Sequence, residues 1–314
     1  MLPNLRQRLF IALAVVIGAL VLLGAKSPLT DAGGAGGLSL MSARIGAAPA
    51  CALAVVACLP AVMLGALVSS AGHPLGGVFA AAAAIGILGA AGGSGGQWVL
   101  SHESHLPGAY LGLIVETFIW HLPVGVLVIS VALGRTSLRE QWPALSAHDD
   151  KRSADAWPRL YPNAVYAAVV SSVVAGIVGL FLIRAADTSQ VIVCLILAFV
   201  VGGLLGKLFF PDASPLLMLF GPALVAVGAY TYALYQFDDG AQMLAGWWNN
   251  ALPTSKKLPG LCLALPVHYV SAGLLGTTLG IGWAEVMLRG NTEVTESNEP
   301  EDVADPTGPA RNTS

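Results

Sequence analysis

The stretch ETFIWHLPVG, residues 116 to 125, places a carboxylate and an imidazole inside a run otherwise fit for hydrocarbon. Glu116 is the only acid deep within any apolar run of the chain. An ionised carboxylate is costly there, so Glu116 must be paired, hydrated or protonated. His121 follows five residues later, about 140° around a helix that turns about 100° per residue. The two side chains therefore leave the helix on different faces. Glu116 lines up with Trp120 and His121 with Thr117, each one turn away. Pro123 has no N–H, so it removes a helical bond to Ile119 and favours a kink beside His121.

The stretch ALPVHYV repeats the proline and histidine combination around His268. Counted from the near ends of their apolar runs, Glu116 and His268 fall at similar depth. They would form a carboxylate–imidazole pair if the fourth and eighth spans were neighbours. Glu116, His121 and His268 are thus the proton or ion site candidates, and bundle-locking hydrogen bonds are the plainer reading. His121 and His268 also allow an axial haem pair from facing helices, but their depths differ by several residues. No cofactor is called for.

A third group is SHESH, with His102, Glu103 and His105 as zinc ligand types. The spacing is not H-E-x-x-H, because the second histidine comes one residue early. It follows a glycine-rich stretch and reads first as a solvated loop. Cys51, Cys58, Cys194 and Cys262 all lie in apolar runs and form no C-x-x-C, so they read as small hydrophobes. No phosphate-binding loop, dinucleotide fingerprint or nucleophile elbow is present. Catalysis is therefore not favoured.

The elements that must position these groups follow from composition. The 314 residues are 55% hydrophobic and 11% charged, whereas soluble domains carry about 25% charged residues. Too few polar groups exist to cover a water-facing surface, so the bilayer is the expected partner. No basic tract of the nucleic-acid kind occurs. Eight runs reach the length needed to cross hydrocarbon: 9–25, 45–68, 75–91, 109–133, 163–184, 190–209, 214–235 and 260–287. The expected fold is an all-α polytopic bundle of about eight spans. The first run could instead be a signal peptide, which would leave seven. The third, GGVFAAAAAIGILGAAGG, gains little by leaving water and needs neighbours around it. The glycines of GAAGGSGG predict irregular backbone.

Lys and Arg set the orientation. With the N-terminus inside, the inner set is Arg6, Arg8, Arg135, Arg139, Lys151, Arg152, Arg159, Lys207, Arg289 and Arg311, against Lys26, Arg44, Arg184, Lys256 and Lys257 outside. This predicts both termini in the cytoplasm of an inner-membrane protein. Residues 1–288 form the membrane domain. Residues 289–314, which carry Glu293, Glu296, Glu299, Glu301, Asp302 and Asp305, read as a disordered acidic tail. Trp247 and Trp248 place a surface helix in the loop at 236–257.

Helix packing is written more plainly than chemistry. Small residues recur at four-residue spacing in Ser172 and Gly176, in Gly179 beside them, in Gly202 and Gly206, and in Gly276 and Gly280. Such faces let helix backbones approach closely. They serve the bundle itself most simply, and a homo-oligomer or other membrane proteins are the further partners they allow. The expected role is structural, assembly or accessory. Its rival is a secondary transporter or channel built on Glu116.

Overall fold

The computed structural model describes residues 5–32, 37–71, 73–93, 95–102, 106–141, 162–184, 187–236 and 258–297. Among these the chain is helical and contains no named strand, only two isolated bridges, Thr30 with Leu38 and Asp31 with Ala43. Among the described residues, eight helices are long and apolar enough to cross a membrane. We number the long helices α1 (Leu5–Gly24), α2 (Ala47–Ala71), α3 (Pro74–Ala91), α4 (Leu106–Gln141), α5 (Pro162–Leu182), α6 (Thr188–Phe209), α7 (Gly221–Gln236) and α8 (Leu274–Ser297).

Their apolar residues are spread around each helix, as a lipid-facing bundle requires. Leu13, Val16, Leu20, Val169, Val173 and Phe181 point outward. Alanine and glycine fill the contacts between helices. The alanine-rich third run forms α3, one of the two most enclosed spans. Helices α1, α2 and α4 pack around it, together with the eighth span. Small side chains are what let so many neighbours crowd one helix. At the α2/α3 crossing, a Cβ on Gly77 would come within 1.9 Å of the Gly65 carbonyl oxygen. A Cβ on Gly18 of α1 would reach Ala61 and Ala84 at 3.0 Å.

Two sequence expectations change. The eighth span is not one continuous helix. It begins as a 3-10 turn at Gly260–Leu263, becomes extended at Ala264 and Leu265, restarts at Pro266–His268, and passes a π turn at Tyr269–Gly273 before α8. Pro266 explains the restart, since proline fits the first helical turn and no later one. The GAAGGSGG stretch is less irregular than its glycines imply. Helix α3 runs through Ala91, and a short helix resumes at Gly95–Ser101. Helix α8 itself runs to Ser297. The remaining tail, Trp247, Trp248 and the 142–161 loop lie outside the described residues.

Residues 26–46 are the largest surprise of the fold. Their described parts, 26–32 and 37–46, connect α1 to α2 and are partly buried. Leu29, Leu38, Ser39 and Leu40 are fully buried. Asp31 donates its N–H to Gly37, Ala32 to Ser42 and Arg44 to Thr30, at 2.9, 2.9 and 3.1 Å. These bonds draw the two described parts of the segment together into a tucked loop whose Leu38, Ser39 and Leu40 are buried in the bundle.

Candidate functional site

The tucked loop ends on Glu116. Ser39 Oγ donates to one carboxylate oxygen at 3.0 Å, and Trp120 Nε1 donates to the other at 3.2 Å. The backbone N–H groups of Leu40 and Met41 face the same carboxylate without reaching hydrogen-bond geometry. Glu116 is 0% exposed. An ionised carboxylate only accepts, and it offers about four lone-pair sites. Two donors bond it here, Ser39 from the α1/α2 connection and Trp120 from α4 itself. Glu116 therefore joins two parts of the chain: α4 carries the acceptor and the α1/α2 connection brings the Ser39 donor.

His268 does not pair with Glu116, although the segment carrying it packs against α4. The reason is local. His268 lies at the restart of the eighth span, and its Nδ1 accepts the Leu265 N–H at 3.1 Å. That bond caps the broken end and assigns the ring proton to Nε2. Nε2–H is directed at the Gly89 carbonyl but does not reach hydrogen-bond geometry, and it has no other partner. His121 has the opposite tautomer. Its Nδ1 lies 2.7 Å from the Thr117 carbonyl, which can only accept, so Nδ1 carries the proton. Its Nε2 is a buried acceptor without a partner. Thr117 in turn donates to Leu113 at 2.8 Å.

Sequence reasoning missed a second set of polar contacts nearby. Non-helical backbone at 258–265 is buried and must be satisfied from within the protein. Three tyrosines supply the donors. Tyr110 of α4 bonds the Cys262 carbonyl at 2.9 Å, Tyr230 of α7 the Ala264 carbonyl at 2.5 Å, and Tyr269 the Leu261 carbonyl at 2.9 Å. Their rings touch in sequence, with centroids 5.8 Å apart for Tyr110 and Tyr230 and 6.0 Å for Tyr230 and Tyr269. Lys207, also missed, bends back to cap the Pro211 and Ala213 carbonyls at 2.6 and 2.8 Å. The only signal for either set was a polar tip in an apolar run.

The remaining candidates separate. His102 stacks on Trp98 with centroids 4.5 Å apart, and its Nε2 is 3.8 Å from Asp31. Glu103 and His105 lie outside the described residues. Among the described residues no group of three metal-ligating side chains forms. Of the small residues, Gly202 and Gly206 of α6 face the Ser171 and Ala167 carbonyls of α5. Gly276 and Gly280 of α8 face Ile196 and Val200 of α6. Gly179 meets Leu261. Ser172 donates to Ala168 at 2.7 Å and lies against Gly221. Gly176 borders an apolar groove of about 650 Å³ between α5 and α7, so its small size leaves space there.

In chemical terms, Glu116, Tyr110, Tyr230 and Tyr269 are buried and their side chains engage groups of the chain itself. No family model, curated protein or solved structure matches the chain, so the geometry alone carries the functional argument.

Proposed function

We propose that the chain is a multi-pass inner-membrane protein, with both termini cytoplasmic, whose role is structural or accessory and not catalytic. One observation carries this reading. Glu116, which is 0% exposed, accepts from Ser39 and Trp120 of its own chain, one donor on each carboxylate oxygen. A transport carboxylate must exchange its partners for a proton or an ion. Glu116 would have to give up a folded loop to do so. The glycine contacts between α5, α6 and α8 support the same reading, because they serve a tightly assembled bundle.

Glu116→Gln tests this reading. Glutamine offers one accepting oxygen and an amide that donates. Its amide replaces an acceptor opposite either the Ser39 hydroxyl or the Trp120 N–H, which weakens the contact between loop and α4 by about 1–3 kcal/mol. The structural reading expects faster amide exchange at 37–44 in Glu116→Gln. In the native protein it expects no carboxylate infrared band that titrates near neutral pH. A band titrating between about pH 5 and 8, with normal folding of the variant, would instead mark a solvent-connected proton site.

A secondary transporter or channel is the second reading. The unpartnered Nε2 atoms of His121 and His268, beside a broken span, favour it, because interrupted membrane helices often border ion sites. It requires Glu116→Gln to lose transport while the loop at 37–44 keeps its protection.

A further inference from the structure

Where α1 ends and α2 begins, a polar cavity of about 350 Å³ opens at the end of the bundle. Lys26, Thr30, Asp31 and Arg44 line it, and Gly92 and Gly93 form a wall without side chains. The volume falls in the range of small-ligand sites, about 300–1,000 Å³, and far exceeds the roughly 30 Å³ of one water. We propose that this cavity binds a phosphate group at the membrane boundary, held between Lys26 and Arg44.

The charges point to an anion. Lys26 and Arg44 come from opposite ends of the tucked loop and meet at one cavity. Among the described residues, neither side chain makes an ion pair or hydrogen bond, since the ion pairs there are His73 with Glu285 and His102 with Asp31. Among the described residues, Asp31 is the one acid in the lining. It is 2% exposed, and its carboxylate lies beside Ser101 Oγ at 3.5 Å and His102 Nε2 at 3.8 Å. The cavity therefore carries a net positive charge. Arginine forks onto phosphate oxygens and lysine adds a point charge, which is a recurring division of labour at phosphates.

The fold keeps this cavity open. The loop returns through the bonds of Asp31 to Gly37 and Arg44 to Thr30, which set Arg44 back beside the end of α1. A Cβ on Gly92 would come within 2.8 Å of the Leu38 side chain and would push it aside. Lys26 stands two residues past the last turn of α1, whose Val16, Leu20 and Val21 are exposed and apolar. Arg44 stands just before α2. Both cations are thus at the level where hydrocarbon gives way to headgroups, where basic side chains meet lipid phosphates. A phospholipid headgroup and a free phosphate share this chemistry. The inference rests on the membrane reading and not on the role of Glu116, so its failure would leave that role standing.

The test is thermal unfolding of the full chain in a phosphate-free maltoside detergent. One arm adds a short-chain phosphatidylglycerol and the other adds inorganic phosphate. At about ten times its Kd either bound ligand should raise the midpoint by about 2 °C. A shift in the lipid arm alone identifies a headgroup, and a shift with inorganic phosphate identifies the free anion. Lys26→Gln with Arg44→Gln should remove the shift, whereas Lys26→Arg should keep it. Arg44 is exposed and bonds nothing through its side chain, so Arg44→Gln alone gives the same reading if the double variant does not fold. No shift in either arm, or an undiminished shift in the neutral variant, would overturn the proposal.

Discussion

Replacing Gly280 by alanine should loosen the bundle, while the same change at Gly282, half a turn away on α8, should not. An ideal Cβ on Gly280 would lie 2.3 Å from the Val200 carbonyl oxygen and 2.7 Å from the Leu204 nitrogen. Both are backbone atoms, so no rotamer change can relieve the contact. Helix α6 must retreat from α8 by roughly 0.7 Å for the carbonyl to reach even 3.0 Å. Overpacking of this kind costs about 1–3 kcal/mol, and the rigid obstacle argues for the upper half. Removing a helical glycine returns at most about 1 kcal/mol. The net loss at Gly280 is therefore about 1–2 kcal/mol. A Cβ on Gly282 meets nothing within 4 Å, so Gly282→Ala should be neutral or gain up to about 1 kcal/mol. Gly276 adds a further expectation. Its Cβ would lie 2.3 Å from the Ile196 carbonyl, on the same pair of helices. One displacement of α6 accommodates both alanines, so Gly276→Ala with Gly280→Ala should lose less than the two single losses together. Detergent-titrated unfolding of the purified protein measures all four variants. Equal stability of Gly280→Ala and Gly282→Ala would refute the close α6/α8 contact.

Two further expectations concern the loops. Tyr110→Phe leaves the buried Cys262 carbonyl without its donor and should destabilise the protein by about 1–3 kcal/mol. Adding Tyr230→Phe should speed amide exchange across 258–265 in preference to the rest of the chain, and uniform exchange would argue against the clamp. Sidedness is testable with single cysteines in a cysteine-free background. Ser27→Cys should react with an impermeant maleimide on intact cells, and His73→Cys only after the membrane is opened. The reverse pattern would invert the orientation.

Local sequence carried much of the architecture. Runs such as Gln7–Gly24 and Thr188–Phe209 are long and apolar, and a bilayer leaves such backbone little choice but a helix. The four-residue spacing of Gly202 with Gly206 and of Gly276 with Gly280 marks faces that allow close approach, because that spacing is a property of one helix. The partner of each face was not legible, nor were Gly18, Gly65 and Gly77, which hold α1, α2 and α3 together without a comparable stripe. Glu116 stood out as a buried carboxylate, yet its neighbours did not. Ser39 is 77 residues away in sequence, in a stretch whose glycines and serines read as an ordinary connection. The eighth span looked continuous, because the carbonyls freed by its break are met by Tyr110 and Tyr230 from distant helices. Hydropathy and spacing report what one segment prefers. Which donor reaches which acceptor depends on how segments far apart in the chain come together, so only the tertiary structure decided it.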